Sequence, residues 1–217
     1  MRDIDLIIFD CDGVLIDSEG LSGEVLIAAL AELGIAVDFD TFCVRMVGRS
    51  FSTVATEIRA AQGVALPPEF EASYRARLLV RFETELRRTD GVVAMLDGLD
   101  IPSCVATSSS PARARRSLEL TGLASRLGHV FTASEVAHGK PAPDLFLHAA
   151  ARMGVDPARC LVIEDSLPGI DAARRAGMAV LRYVGGAHLK GRRLKHGPDV
   201  VTFDHWRDFP ALAGLAT

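Results

Sequence analysis

Asp10 and Asp12 stand two residues apart at the end of an apolar run, Leu6-Ile7-Ile8-Phe9, and are followed by Gly13. Residues two apart on an extended chain point the same way, so both carboxylates can face one reacting group. Gly13 allows the backbone to turn sharply beside them. Three further segments carry complementary groups. Thr107-Ser108-Ser109 offers a hydroxyl followed by backbone donors at the entry to a helix, a ready anion site. Lys140 lies in Gly139-Lys140-Pro141-Ala142-Pro143-Asp144, whose prolines keep it out of a helix. Glu164-Asp165 is a second acid pair, leading into Ser166-Leu167-Pro168-Gly169. Each has a plain structural counterpart: Asp-Gly as a turn former, Thr107 and Ser108 as helix caps, Lys140 as a surface lysine, Glu164-Asp165 as a turn. Jointly they place acid, hydroxyl, cation and acid at four strand ends, a combination that coincidence does not readily supply.

Such a set suits phosphoryl transfer. Four carboxylates gathered at one sheet edge repel and raise one another's pKa unless a cation intervenes. Hard carboxylate oxygens favour Mg²⁺, which keeps several waters and takes its other ligands from a phosphorylated substrate. Thr107, the amides that follow it and the Lys140 ammonium would hold the remaining phosphoryl oxygens. Phosphoryl transfer then needs little beyond positioning, charge neutralisation and an in-line nucleophile. A carboxylate can be that nucleophile, and two aspartates permit one to attack while the other moves protons.

The elements that must position these groups follow from the apolar pattern. Four consecutive large apolar residues before Asp10 suit a strand covered on both faces, as in a parallel sheet, where ligands bind beyond the carboxyl ends of the strands. Further strands are predicted at Ser103–Ala106, His129–Thr132, Cys160–Ile163, Ala179–Tyr183 and near Val200–Thr202. Between them helices are expected at Pro111–Leu120, Pro143–Met153, Gly169–Ala176 and His205–Leu212. The alternation marks β-α units on a parallel sheet. From Ser18, a candidate helix cap, to about Arg88 the pattern is helical throughout, with helices at about 18–33, 51–61 and 68–86.

A composition of 49% hydrophobic and 24% charged residues is that of a globular protein and excludes wholesale disorder. The net charge of −4 gives no reason to expect nucleic acid or an anionic membrane as partner. No apolar run spans a bilayer and no signal-peptide pattern precedes the first strand, so the expected location is cytoplasmic. Cys11, Cys43, Cys104 and Cys160 lack metal-binding spacing and are expected as reduced thiols, with Cys11 made unreactive by its two acidic neighbours. The basic run His188–His196 is expected to be a solvated loop.

Asp10-Cys11-Asp12-Gly13-Val14-Leu15, Ala106-Thr107-Ser108-Ser109, Lys140-Pro141-Ala142-Pro143-Asp144 and the segment from Glu164 to Ala173 together resemble, in order and spacing, the four motifs of the haloacid dehalogenase superfamily. The nearest branch is that of the sugar-phosphate phosphatases and β-phosphoglucomutases. The resemblance covers nearly the whole chain. It implies an α/β fold: a Rossmann-like parallel-sheet core from residues 1–15 and 89–217, with 16–88 inserted as an all-helical cap. It implies Asp10 as nucleophile, Asp12 as general acid and base, and Thr107 and Lys140 as phosphoryl binders. Mg²⁺ would be held by Asp10, the main-chain carbonyl of Asp12 and Asp165, with Glu164 close by. Ser108 and Ser109 are expected at the substrate, as are Gly48, Arg49 and Ser50 in the cap's substrate-reading loop.

Within the family, Asp12 argues against carbon–halogen chemistry, whose enzymes lack the second aspartate. The mutase branch carries a cap histidine where this chain has Ser22. The function expected is therefore a Mg²⁺-dependent phosphatase for a small phosphorylated metabolite, a sugar phosphate or phosphorylated sugar acid. A phosphosugar mutase and a non-catalytic binding protein are the alternatives. A monomer is expected, with hinges near 13–17 and 87–91 that leave the cap free to open.

Overall fold

The structure is a computed structural model and describes residues 4–191 and 200–215. Six strands form one sheet: β1 (Leu6–Phe9), β2 (Ser103–Thr107), β3 (Val130–Thr132), β4 (Cys160–Glu164), β5 (Ala179–Tyr183) and β6 (Thr202–Phe203), in the order β3-β2-β1-β4-β5-β6. Every pairing is parallel. The chain leaves β1 towards β2 and β3, then returns to the other side for β4, so β1 and β4 flank the point where the winding reverses. Open α/β sheets place their ligands at that point.

The apolar run before Asp10 is covered from both sides. Ile7 and Phe9 face a core that includes Leu181, Tyr183, Phe203, Trp206 and Phe209, while Leu6 and Ile8 face Leu145, Phe146, Ala149 and Ala172. Phe9 meets the Trp206 ring edge-on at 5.9 Å between centroids, and Trp206 stacks on Tyr183 at 4.8 Å. All four residues of β1 have no exposed surface, which is why the run shows no polar alternation. The register pairs Phe9 with Val105 on one side and with Ile163 on the other. One residue further along each strand come Asp10, Ala106 and Glu164, so the three strand ends reach the same level.

Helices α1 (Glu19–Glu32), α2 (Phe39–Arg45), α3 (Phe51–Gln62) and α4 (Phe70–Glu85) stand between β1 and β2. Phe51 stacks between Phe70 and Tyr74 at centroid distances of 6.2 and 5.9 Å, fixing α3 against α4. The two stretches of chain that enter and leave this helical segment run side by side. Asp17 N–H donates to the Arg87 carbonyl and Thr89 N–H to that of Leu15, at 2.9 and 3.0 Å, and the Trp206 indole N–H donates to Thr89 Oγ1 at 2.9 Å.

The remaining helices are α5 (Val92–Asp97), α6 (Pro111–Leu120), α7 (Asp144–Met153), α8 (Leu167–Arg175) and α9 (Phe209–Ala213). Several expectations shift. Helices α2 and α5, of 7 and 6 residues, were too short to reveal a period. Helix α8 begins at Leu167 rather than Gly169, because the Ser166 hydroxyl accepts from Gly169 N–H and Pro168 fits the first turn. β6 falls at Thr202–Phe203, not 200–202, since Tyr183 pairs with Phe203 and buries that ring against its own. His205–Asp208 is not part of α9; Trp206–Asp208 is a separate 3₁₀ turn.

Candidate active site

Asp10 is 4% exposed and lies on the chain's first strand end, its amide donating to the Ile163 carbonyl of β4 at 2.9 Å. Lys140, whose side chain is fully buried, sends Nζ to Asp10 Oδ1 and Glu164 Oε1, each at 2.6 Å, and to the Ala106 carbonyl at 3.2 Å. One ammonium thus ties three strand ends together, and it also lies 4.9 Å from the centroid of the Phe146 ring. Burial opposes its charge, but Asp10 and Glu164 outweigh burial and raise its pKa, so it stays protonated. Burial likewise drives the Asp10 carboxyl well above the usual range, with Lys140 pulling it back and Glu164 and Asp165 pushing it further up.

Glu164 has no idle oxygen. Oε1 accepts from Lys140, and Oε2 accepts from the amides of Asp165 and Ser166 and from the Ser166 hydroxyl, all at 2.9 Å. Gly169 makes this possible, because a Cβ there would fall 1.8 Å from Glu164 Oε1. Asp165 differs: it is 2% exposed, and its Oδ2 has no hydrogen-bond partner. Asp10, Glu164 and Asp165 can each bring one carboxylate oxygen within 4.8 Å of the others. A buried set of three carboxylates, all oxygen donors, fits a hard divalent cation of the Mg²⁺ type. The Asp12 carboxylate stands outside this group.

Asp12 faces the opposite way, into hydroxyls and a guanidinium. Ser18 Oγ and Arg113 Nη2 donate to its Oδ1 at 2.6 and 2.7 Å, and Ser109 Oγ and Thr107 Oγ1 to its Oδ2 at 2.6 and 3.3 Å. Burial works to raise its pKa, yet Arg113 and the Ser109 and Ser18 hydroxyls overcome burial and hold the carboxyl below the ordinary range. Ser18 stands at the cap position of α1 but makes no capping bond, because its hydroxyl is committed to Asp12. Gly13, at φ 77°, turns the chain back so that its amide meets the Ile16 carbonyl at 2.8 Å. Cys11 between the acids is fully buried, and burial first, then Asp12 and Asp10, push its thiol well up.

Above the strand ends lies a cavity of about 70 Å³, lined by Asp10, Asp12, Thr107, Ser108 and Ser109 from the sheet side and by Glu19, Ser22, Gly48, Arg49, Tyr74 and Arg75 from the helical segment. Arg113 reaches it from α6 and donates to Ser22 Oγ at 3.0 Å. The Nε atoms of both Arg49 and Arg113 are buried there without a hydrogen-bond partner. Gly48, at φ 78°, accepts a hydrogen bond from Ser108 Oγ at 3.0 Å through its carbonyl. Ser50 does not line the cavity; its hydroxyl caps α3, accepting from Thr53 N–H.

Several cavity or site residues escaped the sequence reading, Arg113, Glu19 and His188 among them. Arg113 follows Ser110-Pro111 in the first turn of α6, and its signal was a cation in the turn that succeeds the strand-end hydroxyls. Glu19 adjoins Ser18 and points into the cavity. His188, expected in a solvated loop, is 2% exposed and packs beside Asp165 with Nε2 2.9 Å from Oδ2. The Arg192, Arg193 and Lys195 part of that basic run lies outside the described residues.

The family model for haloacid dehalogenase-like hydrolases matches residues 4–177, and the chain belongs to that family. It is 30% identical to 6-phosphogluconate phosphatase of Escherichia coli over 98% of this chain and 96% of that one. It is also 34% identical to the fructose-1-phosphate phosphatase of the same organism, over 79% of this chain and 92% of the other. Among solved structures, a haloacid dehalogenase-like protein of unknown function from Agrobacterium tumefaciens superposes with a TM-score of 0.79 at 32% identity, covering 97% of this chain and 98% of that one. Within the family, the chain is a phosphoric monoester hydrolase. No helix among the described residues is long and apolar enough to cross a membrane.

Proposed function

We propose that the chain is a Mg²⁺-dependent phosphatase of small phosphorylated sugars or sugar acids, working through an aspartyl-phosphate on Asp10. The observation that carries this is the division of the two aspartates. Asp10 is clasped by a buried ammonium beside two further carboxylates, whereas Asp12, two residues on, is set among hydroxyls and a guanidinium on the wall of the same cavity.

Asp10 attacks phosphorus, and the bond from phosphorus to the ester oxygen breaks as Asp12 gives that oxygen its proton. Asp12, now ionised, takes a proton from water, whose oxygen attacks the phosphorus and releases Asp10 and inorganic phosphate. Arg113 and the hydroxyls of Ser109 and Ser18 hold Asp12 ionised in the free site. A phosphate dianion arriving on the same donors competes for them and restores the proton affinity that Asp12 needs as an acid. Lys140 keeps Asp10 aligned and partly neutralised, and Glu164 aligns Lys140. Asp10, the Asp12 main-chain carbonyl and Asp165 would hold Mg²⁺, which when bound neutralises charge on the phosphoryl oxygens.

Residues 16–88 act as a cap. Its contacts to the sheet side include Gly48 to Ser108, Ser22 to Arg113, and Arg75 Nη1 to Ser110 Oγ at 3.1 Å. Buried guanidinium N–H groups without partners suit a substrate that brings hydroxyl or carboxylate oxygens to the far end of the cavity. The sugar-phosphate and sugar-acid-phosphate substrates in the relatives' names carry such oxygens. Ser22 on the cavity wall, where the mutase branch has histidine, favours hydrolysis over transfer.

The test is phosphate release from sugar phosphates and phosphorylated sugar acids with Mg²⁺ and with EDTA, beside Asp10→Asn. Selective turnover that EDTA abolishes and that Asp10→Asn lowers by on the order of 10⁴ or more is expected. Turnover in EDTA, or persistence in the variant, refutes the proposal.

A further inference from the structure

We propose that His188 is a positioning residue for the metal site: its imidazole orients Asp165 so that one carboxylate oxygen is presented to Mg²⁺ while the other is held by Nε2–H. This rests on the reading of Asp165 as a metal ligand given above.

His188 lies in the short 3₁₀ turn Ala187–Leu189 that follows β5 and is the only buried histidine among the described residues. Its side chain and that of Asp165 are 0% and 1% exposed, with Nε2 and Oδ2 2.9 Å apart. Despite that distance, neither ring nitrogen nor Asp165 Oδ2 completes a directed hydrogen bond. A buried carboxylate oxygen without a donor is costly, and a carboxylate that ligates a metal through one oxygen still needs a donor for the other. His188 Nε2 stands where that donor is required.

The surroundings are shaped around the pair. A Cβ on Gly13 would fall 2.2 Å from Asp165 Oδ2 and 2.9 Å from His188 Cε1, and a Cβ on Gly186 would fall 2.9 Å from both Cε1 and Nδ1 of His188. Two glycines on separate segments therefore leave the volume that ring and carboxylate occupy. Both backbones are pinned as well. Arg182 Nε donates to the Asp165 carbonyl at 2.9 Å, and Ala187 N–H donates to Asp17 Oδ1 at 2.9 Å. The histidine's turn is thus tied to the chain at the base of the helical segment, and its carbonyl faces Cys43 Sγ of α2 at 3.9 Å.

The experiment is calorimetric titration of Mg²⁺ into the full chain and into His188→Leu, His188→Gln, Asp165→Asn and the Leu/Asn double variant, with thermal unfolding of each. Leucine removes the donor, whereas the glutamine amide can return an N–H to the place of Nε2. His188→Leu should weaken Mg²⁺ binding about 10- to 100-fold, His188→Gln should retain most of the affinity, and the double variant should bind no worse than Asp165→Asn alone. Unchanged Mg²⁺ affinity in His188→Leu, or losses that simply add in the double variant, overturns the inference. A pulsed EPR signal of histidine nitrogen on bound Mn²⁺ also overturns it, by making His188 a ligand itself. Wild-type affinity in Asp165→Asn is a separate result, and it refutes the metal-site reading on which the inference stands.

Discussion

Glu19→Gln tests how the cavity is charged in the folded state. Glu19 is 7% exposed in the first turn of α1 and faces the cavity beside Asp12. Burial first, then the Asp12 carboxylate, lift its carboxyl from 4.5 to about 8, with Asp165 adding to the rise and Arg113 and His188 opposing it. The unfolded chain therefore loses this proton near pH 4.5 and the folded chain only near pH 8. Between those values the folded state binds more protons, so stability falls as pH rises. At about 1.4 kcal/mol per pH unit, the accumulated cost is about 1.4 kcal/mol at pH 5.5 and about 4.6 kcal/mol at pH 8.5.

Glutamine keeps the shape and removes the titration. Urea unfolding of both proteins at pH 5.5, 7.0 and 8.5 reads this group and its immediate electrostatic partners, because titrating groups that do not interact with Glu19 cancel in the difference. The variant should gain on the wild type by about 3 kcal/mol from pH 5.5 to 8.5, or roughly 6–12 °C in Tm for a chain of this size. A difference that does not change with pH would refute the reasoning. It would mean that Glu19 is ionised throughout, paired with the Arg113 guanidinium rather than protonated next to Asp12.

Lys140→Met should lower stability by about 3–5 kcal/mol in urea unfolding, because it leaves Asp10 and Glu164 buried without their shared cation; wild-type stability would show that the two acids share a proton instead. The same variant should release no phosphate. Gly169→Ala forces a methyl into Glu164, and a loss of about 1–3 kcal/mol together with reduced turnover is expected. A variant as stable and active as the wild type would mean that Glu164 has another place to go without disturbing Lys140.

The candidate site divides into a part that local sequence reveals and a part that it does not. Asp10, Thr107 and Glu164 were legible because a parallel strand announces itself by an unbroken apolar run, and the residue after the run is delivered to the sheet edge whatever the rest of the chain does. Lys140 was legible for a different reason: its prolines exclude a helix, and the chain turns there, Ala142 N–H donating to the Gly139 carbonyl at 3.0 Å. Arg113, Glu19 and His188 reach the site from helices and a turn, so what brings them there is the angle at which those elements pack, and no local period encodes that angle. His188 is the clearest case. Its neighbours Lys190, Arg192, Arg193 and Lys195 make the segment look solvated, and charge density along a stretch cannot reveal that one member turns inward. What could have marked it is glycine: Gly185-Gly186 precedes it and Gly13 follows the aspartates. Gly13 and Gly186 are the residues whose missing side chains leave room for the imidazole against Asp165. Read for the space a glycine vacates rather than only for the turn it permits, the sequence already held a sign that something bulky approaches the second acid pair.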